Sequence, residues 1–441
     1  VDAPSAAALN ITLYPRGFKL PADDVREAVA DAVRGLSAAD PQAHVFYEER
    51  QDVRATLGSD GFRNALTTNT RGGAVGGRTA SHISESFGRA AGQVEGGESE
   101  LEAGIGLLED AIIETAASAT SGRQRASWSA KLVAFQQEIW VGRPGMDVVG
   151  DARQGCRLEL RARVGTSRPG QAVDDLIVRL GDPSPITRAF ARVFERAEER
   201  GSAASSRLEP GEVVGVLAPG VAGVVAHELI GHALEGDVAS RGQSWLVSGG
   251  SATASADVAV TDDPRRGRGA WKLDDEGTAT RETHLIVRGR TSGLLLDNTA
   301  ALALGKTSTG HGRRASHLDR IRPRMGCTFI EGGADDPAEI LRETRSGVFI
   351  RRLTAGQADP VSGRATFLVS DADRIIEGAL AGPLDSFVIE LDGVVSWASI
   401  DRIAHDLAFD TCVGSCMRDG QPLAVSVGAP TIRIGVMRVC C

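Results

Sequence analysis

The segment 221–237, VAGVVAHELIGHALEGD, sets the hardest condition on any fold this chain adopts. Its flanks, VAGVVA and LIG, are apolar and call for burial, yet it carries His227, Glu228 and His232. Burying a carboxylate and two imidazoles is costly unless each is paired or bound to a metal. The fold must therefore bring partners to this helix. A regular α-helix turns about 100° per residue, so histidines five apart stand about 140° from one another and cannot easily grip one ion. Two devices would bring them together. One is a π-bulge, whose wider turn restores the register and which is frequent at functional sites. The other is a bend at Gly231, which tolerates unusual backbone angles. A catalytic zinc takes three protein ligands and keeps one position open. Glu235 and Asp237 are local candidates for the third ligand and Cys416 is a distant one. Spacing does not rank them, and a polar cluster satisfied by hydrogen bonds alone would leave the same trace.

The rest of the composition narrows the class. A length of 441 residues suggests two or three domains. A net charge of −9 argues against a general nucleic-acid surface. No run of about 18 apolar residues occurs, so no membrane-crossing helix is expected. The first residues, VDAPSAAALNITLYPRG, lack the basic-then-apolar layout of an export signal, and the expected location is the cytoplasm. The six cysteines (Cys156, Cys327, Cys412, Cys416, Cys440, Cys441) form no disulfide framework in a chain this long. No C-x-x-C pair occurs, which removes a zinc ribbon.

Periodicity gives the organisation. Val25, Val29, Ala32 and Leu36 mark an amphipathic helix within 20–40, and 101–118 and 187–200 also read as helices. Residues 44–75 read as short strands broken by turns, and 156–164, CRLELRARV, alternates clearly. The polar stretch 201–211 is the linker candidate. Beyond it the chain is mostly strand and turn, with one more helix expected at 336–344. The expected class is α+β: an N-terminal mixed α+β domain over 1–200, then a β-rich C-terminal domain over 212–441 that carries the metal-binding helix.

HELIGHALEGD is similar to the H-E-x-x-x-H signature of the TldD/PmbA metallopeptidases, the modulator of DNA gyrase family, in which a spacing of five is usual. The resemblance runs on through RGQSW (241–245), the D-D-E-G-T element at 274–278, TSTGHGRRAS (307–316), GQADPVSG (356–363) and CVGSCMRDGQ (412–421). More loosely it includes TRGGAVGGR (70–78). His311, Cys412 and the terminal RVCC have no clear counterpart in the family pattern. The resemblance implies His227, His232 and Cys416 as ligands of one Zn2+ per active chain, with Glu228 as the catalytic glutamate. It implies an active, TldD-like subunit, and a homodimer or a heterodimer with a related motif-less subunit around a shared cavity.

The implied activity is hydrolysis of amide bonds in unfolded or leader-like peptides, as in peptide or natural-product maturation, with no nucleic-acid or membrane partner. Glu228 would take a proton from the attacking water and pass it to the leaving amine. A thiolate ligand weakens the Lewis acidity of zinc, so a slow, selective peptidase is expected. His311, Arg313 and Arg314 are candidate contacts to the substrate. Asp274, Asp275 and Glu276 read as turn and surface acids, Asp359 as a turn residue, His405 and Asp406 as structural, and Cys156 and Cys327 as buried small hydrophobes. The alternative is a non-catalytic or regulatory subunit of a TldD/TldE-type heterodimer, which would be free to lose one of the four site residues.

Overall fold

The computed structural model describes residues 22–36, 43–76, 83–91, 100–123, 125–165, 169–248, 254, 257–409 and 414–440. Cys412 and Cys441 lie outside them. The chain is mixed α+β and its C-terminal part is rich in strands, as the sequence texture predicts.

Six antiparallel strands come first: β1 (His44–Gly58), β2 (Arg63–Gly76), β3 (Ile83–Ala91), β4 (Ser127–Gly142), β5 (Val149–Val164) and β6 (Gly170–Val178). They lie in the order β3-β2-β1-β4-β5-β6. The expected short strands over 44–75 are instead one long hairpin, β1 with β2, paired from His44–Gly76 to Leu57–Arg63. Only the link at 59–62 breaks it, where Gly61 takes φ +79°.

Side chains alternate across a strand, and here both faces are used. One face takes three helices: α1 (Ala22–Arg34), α2 (Glu100–Thr120) and α3 (Ser184–Ser202). Val25 and Val29 of α1 pack on Val45, Tyr47 and Trp140. The apolar stripes of α2 and α3 cover Val53, Leu132, Leu158 and Leu160. In α3 the buried set Ile186, Ala189, Phe190, Val193, Phe194 and Ala197 follows the helical period.

The opposite face carries Phe46, Glu48, Gln137 and Arg153, all buried. It meets the loops of the C-terminal half. Arg153 donates to Asp275 at 2.6 Å and to the Leu273 carbonyl at 2.6 Å. Glu48 accepts from the backbone N–H of His317 at 2.6 Å, and the Arg314 guanidinium stacks on the Phe46 ring at 4.4 Å. The polar stretch after α3 is pinned as well, since Ser206 donates its N–H to the Pro383 carbonyl at 3.1 Å.

The C-terminal strands begin with β7 (Gly211–Leu217). It pairs with Ser346–Asp359 on one side and Ile432–Cys440 on the other. Ser346–Asp359 pairs with Arg364–Ile376, that strand with Phe387–Asp392, and Phe387–Asp392 with Ile432–Cys440. The pairing returns to its start, so five strands close a ring. A second, six-stranded sheet includes Val260–Asp262, Thr283–Val287, Cys327–Ile330 and Ser426–Ala429. Helical residues 222–234 sit between ring and sheet. Val225, Leu229 and Ile230 share one apolar core with Val348, Ile350 and Phe367 of the ring and Val260, Ile286 and Ile330 of the sheet. The short helix Pro337–Glu343 falls where 336–344 was expected to be helical.

Arg153 and Asp275 are both fully buried. Removing one partner of such a pair strands the other charge and typically costs about 3–5 kcal/mol. Arg153→Ala is expected to destabilise the protein on that scale, seen as a marked fall in its urea midpoint. A midpoint equal to the parent's would mean that this pair does not hold the two halves together.

Candidate metal centre

The helix that enters the core is regular only at its start. Ala222–Ala226 is α-helical, His227–Gly231 is a π-turn and His232–Leu234 a 3₁₀ turn. The His232 N–H bonds to the carbonyl of His227, five residues back. Of the two devices open to the sequence, the chain therefore uses the π-turn. Gly231 has ordinary right-handed helical angles, φ −56° and ψ −57°, so no bend is made there. Its glycine serves packing instead, because a Cβ would lie 1.8 Å from the Met325 sulfur. The altered ladder leaves a carbonyl in need of a donor, and the Trp245 indole N–H supplies Leu229 at 3.0 Å.

The wide turn brings the imidazoles together, with ring centroids 5.1 Å apart and planes at 84°. Cys416 arrives from the hairpin Ser415–Arg418/Gln421–Ala424. Its Sγ stands 3.3 Å from His232 Nε2. One donor atom from each of His227, His232 and Cys416 lies within 4.8 Å of the others. Glu228 Oε2 is 4.0 Å from His232 Nε2, and its side chain passes beside Gly356, which has no side chain to block it.

The two local alternatives to Cys416 have other work. Glu235 is fully buried and meets His232 on the far ring nitrogen, Nδ1, at 3.2 Å. Asp237 accepts from Arg418 at 2.7 Å. Burial opposes the Cys416 thiolate, but His227 and His232 outweigh it and draw the thiol down to about 4. Burial likewise opposes a charged His232, yet Glu235 and Cys416 raise it well above the usual histidine range. Burial would push Glu235 up, and His232, Arg418 and Arg324 bring it down.

Two imidazoles and a ready thiolate suit zinc, whose ligands are nitrogen and sulfur. The Nδ1 of His227 is buried with no hydrogen-bond partner. Together with the convergence of the three donors, this is a site whose polar groups want a ligand.

His311, Arg313 and Arg314 are placed elsewhere. His311 is fully buried, with Nε2 3.1 Å from Asp262 and Nδ1 2.8 Å from the Thr309 hydroxyl. Arg313 pairs with Asp275 at 3.3 Å and lies 4.2 Å over the Trp271 ring. Arg314 donates to His44 Nε2 at 2.9 Å. The contacts of Arg313 and Arg314 belong to the seam with the N-terminal sheet, those of His311 stay within the C-terminal half, and none includes any of the four cluster residues.

Asp274, Asp275 and Glu276 are buried rather than surface acids. Asp274 accepts three backbone N–H groups, from Glu276, Thr278 and Gly312, while Asp275 neutralises the seam arginines. Asp359 is a turn residue as expected, accepting from Val361 and Ser362. Cys156 and Cys327 are buried, as expected. The sequence reading missed Arg324 and Arg418 altogether.

The profile described as PmbA/TldA metallopeptidase C-terminal domain matches residues 210–440. The chain belongs to this metallopeptidase family. A metalloprotease TldD homologue of Buchnera aphidicola is 32% identical over 222 residues, 50% of this chain and 46% of that protein. One from Haemophilus influenzae is 31% identical over 228 residues, 51% and 47% of the two chains. A zinc metalloprotease TldD homologue of Saccharolobus solfataricus is 26% identical over 238 residues, 53% of each. The chain thus spans about half the length of the curated relatives it matches. TldE from Thermococcus kodakarensis shares the fold, with a TM-score of 0.68 at 16% identity over 90% of this chain and 96% of its own. So does a modulator-of-DNA-gyrase protein from Thermotoga maritima, with a TM-score of 0.69 at 16% identity and the same coverage.

The raised His232 value has a consequence for metal uptake. An ion must displace the proton that Glu235 and Cys416 hold on this imidazole, so higher pH favours binding. Affinity for added zinc is expected to rise about tenfold per pH unit for each proton released, until pH passes the raised value of His232. Chelator competition across the neutral range measures this, and an affinity independent of pH would contradict it.

Proposed function

We propose that this chain is a zinc-dependent peptidase that hydrolyses amide bonds in unfolded or leader-like peptides. His227, His232 and Cys416 would hold the ion and Glu228 would act as general base. The observation that carries the reading is the convergence of those three donors on the wide helical turn, with a carboxylate 4.0 Å from one of them. A structural zinc site has no use for Glu228, and the metalloprotease names of the relatives point the same way.

When bound, zinc would supply Lewis acidity toward a carbonyl oxygen and toward water. The other parts belong to the chain. Cys416 enters as thiolate, so the site carries less positive charge than an all-histidine one. His232 offers Nε2 while Nδ1 stays on Glu235. Glu228, partly exposed at 17%, can accept a proton from water and hand it to the departing amine. The fold likeness to TldE favours a paired assembly, either two copies of this chain or this chain with a related subunit that lacks the motif. No helix among the described residues is long and apolar enough to cross a membrane.

Two variants test the reading. Cys416→Ser is expected to lose most of its zinc, by elemental analysis of the purified chain. Glu228→Gln should keep about one zinc per chain while peptide cleavage falls by about 10²–10⁴-fold. Undiminished cleavage by Glu228→Gln would remove Glu228 from its role. A wild-type chain that takes up no zinc would favour the regulatory-subunit reading instead.

A further inference from the structure

Two of the three donors are local to one helix, and the third comes from a hairpin 184 residues beyond His232. Something must hold hairpin and helix in register. The contacts converge on one buried carboxylate. Glu235 is fully buried, just past the 3₁₀ turn, where the backbone becomes extended at φ −65° and ψ 129°. Its Oε2 takes His232 Nδ1 at 3.2 Å and also pairs with the Arg418 guanidinium. Arg418 lies two residues beyond Cys416 on the same strand, and its other arm reaches Asp237 at 2.7 Å. Arg324, also fully buried, donates to the carbonyl of Cys416 at 2.8 Å and to that of Gln421 at 3.1 Å. It therefore grips both strands of the hairpin. Its Nε stands 4.0 Å from Glu235 Oε1, and neither atom has a hydrogen-bond partner. Two buried, oppositely charged groups thus face each other at ion-pair distance.

We propose that Glu235, together with Arg324 and Arg418, positions the metal ligands: one carboxylate fixes the ring of His232 and anchors the strand that delivers Cys416. The inference rests on the metal-centre reading above. A carboxylate that accepts from Nδ1–H selects the tautomer with its lone pair on Nε2, the nitrogen that faces Cys416, and raises that nitrogen's basicity. The two arginines extend this outer shell to the ligand from the other chain segment. Charge sets the arrangement. Glu235 stands between the Arg324 and Arg418 guanidiniums, so Glu235 without its charge would leave two cations facing each other near the ion.

The test compares zinc affinity, by chelator competition, in the full-length wild type, Glu235→Gln, Glu235→Ala and Asp237→Asn, with the unfolding midpoint of each metal-free protein measured alongside. Loss of an outer-shell partner typically weakens metal binding about 10–100-fold. Glu235→Gln keeps an acceptor for Nδ1–H but drops the charge, and is expected near the lower end. Glu235→Ala is expected near the upper end. Asp237→Asn weakens the outer partner that Arg418 shares with Arg241 and Arg322, leaves Glu235 in place, and should change affinity about fivefold or less. That ranking, with the metal-free midpoint of Glu235→Gln close to wild type, supports the positioning role. Wild-type affinity in Glu235→Gln overturns it, and so does an affinity loss in Glu235→Gln matched by an equal loss of metal-free stability. If Glu235→Ala does not fold, the Gln and Asn variants decide. Failure of the wild type itself to bind zinc would instead sink the metal-centre reading, a distinct result.

Discussion

One extra residue in one helical turn governs the rest of the site. With i→i+4 bonding throughout, the histidines would point away from each other; with one i→i+5 turn they share a face. The wider turn breaks the ladder, and its stability has to come from outside the helix. The Trp245 indole satisfies the Leu229 carbonyl, Gly231 lets Met325 close against the backbone, and Gly223 lets the helix lie directly on Gly428. Each of these contacts comes from a different element, which is why this helix sits where the ring of strands and the second sheet meet.

Much of this was legible in the sequence. The apolar flanks of His227 and His232 announced burial, and their spacing announced an irregular helix. The helical stripes over 20–40, 101–118 and 187–200 correspond to three helices on one sheet. What could not be read was what residues far apart in the chain do for one another. Glu235 and Cys416 were both candidates for the third ligand in the sequence; in the fold Glu235 meets Nδ1 of His232 and Cys416 stands beside Nε2. Asp274, Asp275 and Glu276 looked like turn acids because three consecutive carboxyl residues beside glycine usually face water. Asp275 is buried against Arg153, on a strand more than a hundred residues earlier, while Asp274 and Glu276 are satisfied by backbone N–H groups brought in by the fold. The length of β1 and β2 was missed for a related reason. Glu48 on β1 faces the C-terminal half rather than solvent, and the polar residues around it and on the exposed start of β2 resemble a broken segment in sequence.

The seam between the halves joins apolar contacts around Phe46 and Val141 with buried ion pairs and hydrogen bonds, and the polar contacts separate its role from that of the core. Apolar packing tolerates some sliding, whereas Arg153 on Asp275, Glu48 on His317 and Arg314 on His44 accept one register. Of the residues read in the sequence as substrate contacts, Arg314 makes one of these bonds and Arg313 shares Asp275, while His311 is held inside the C-terminal half by Asp262 and Thr309. They position the loops that back the second sheet.

The closed ring also dictates the order in which the molecule can be finished. Its last strand, Ile432–Cys440, seals the gap between β7 and Phe387–Asp392, and the hairpin that brings Cys416 emerges just before it. On the ribosome, the two histidines are therefore made almost two hundred residues before their third companion. During that interval the nascent chain holds an incomplete set of donors and an unsealed ring. The hairpin donor and the sealing strand thus follow closely on one another, so the three candidate donors cannot meet until the ring is nearly complete.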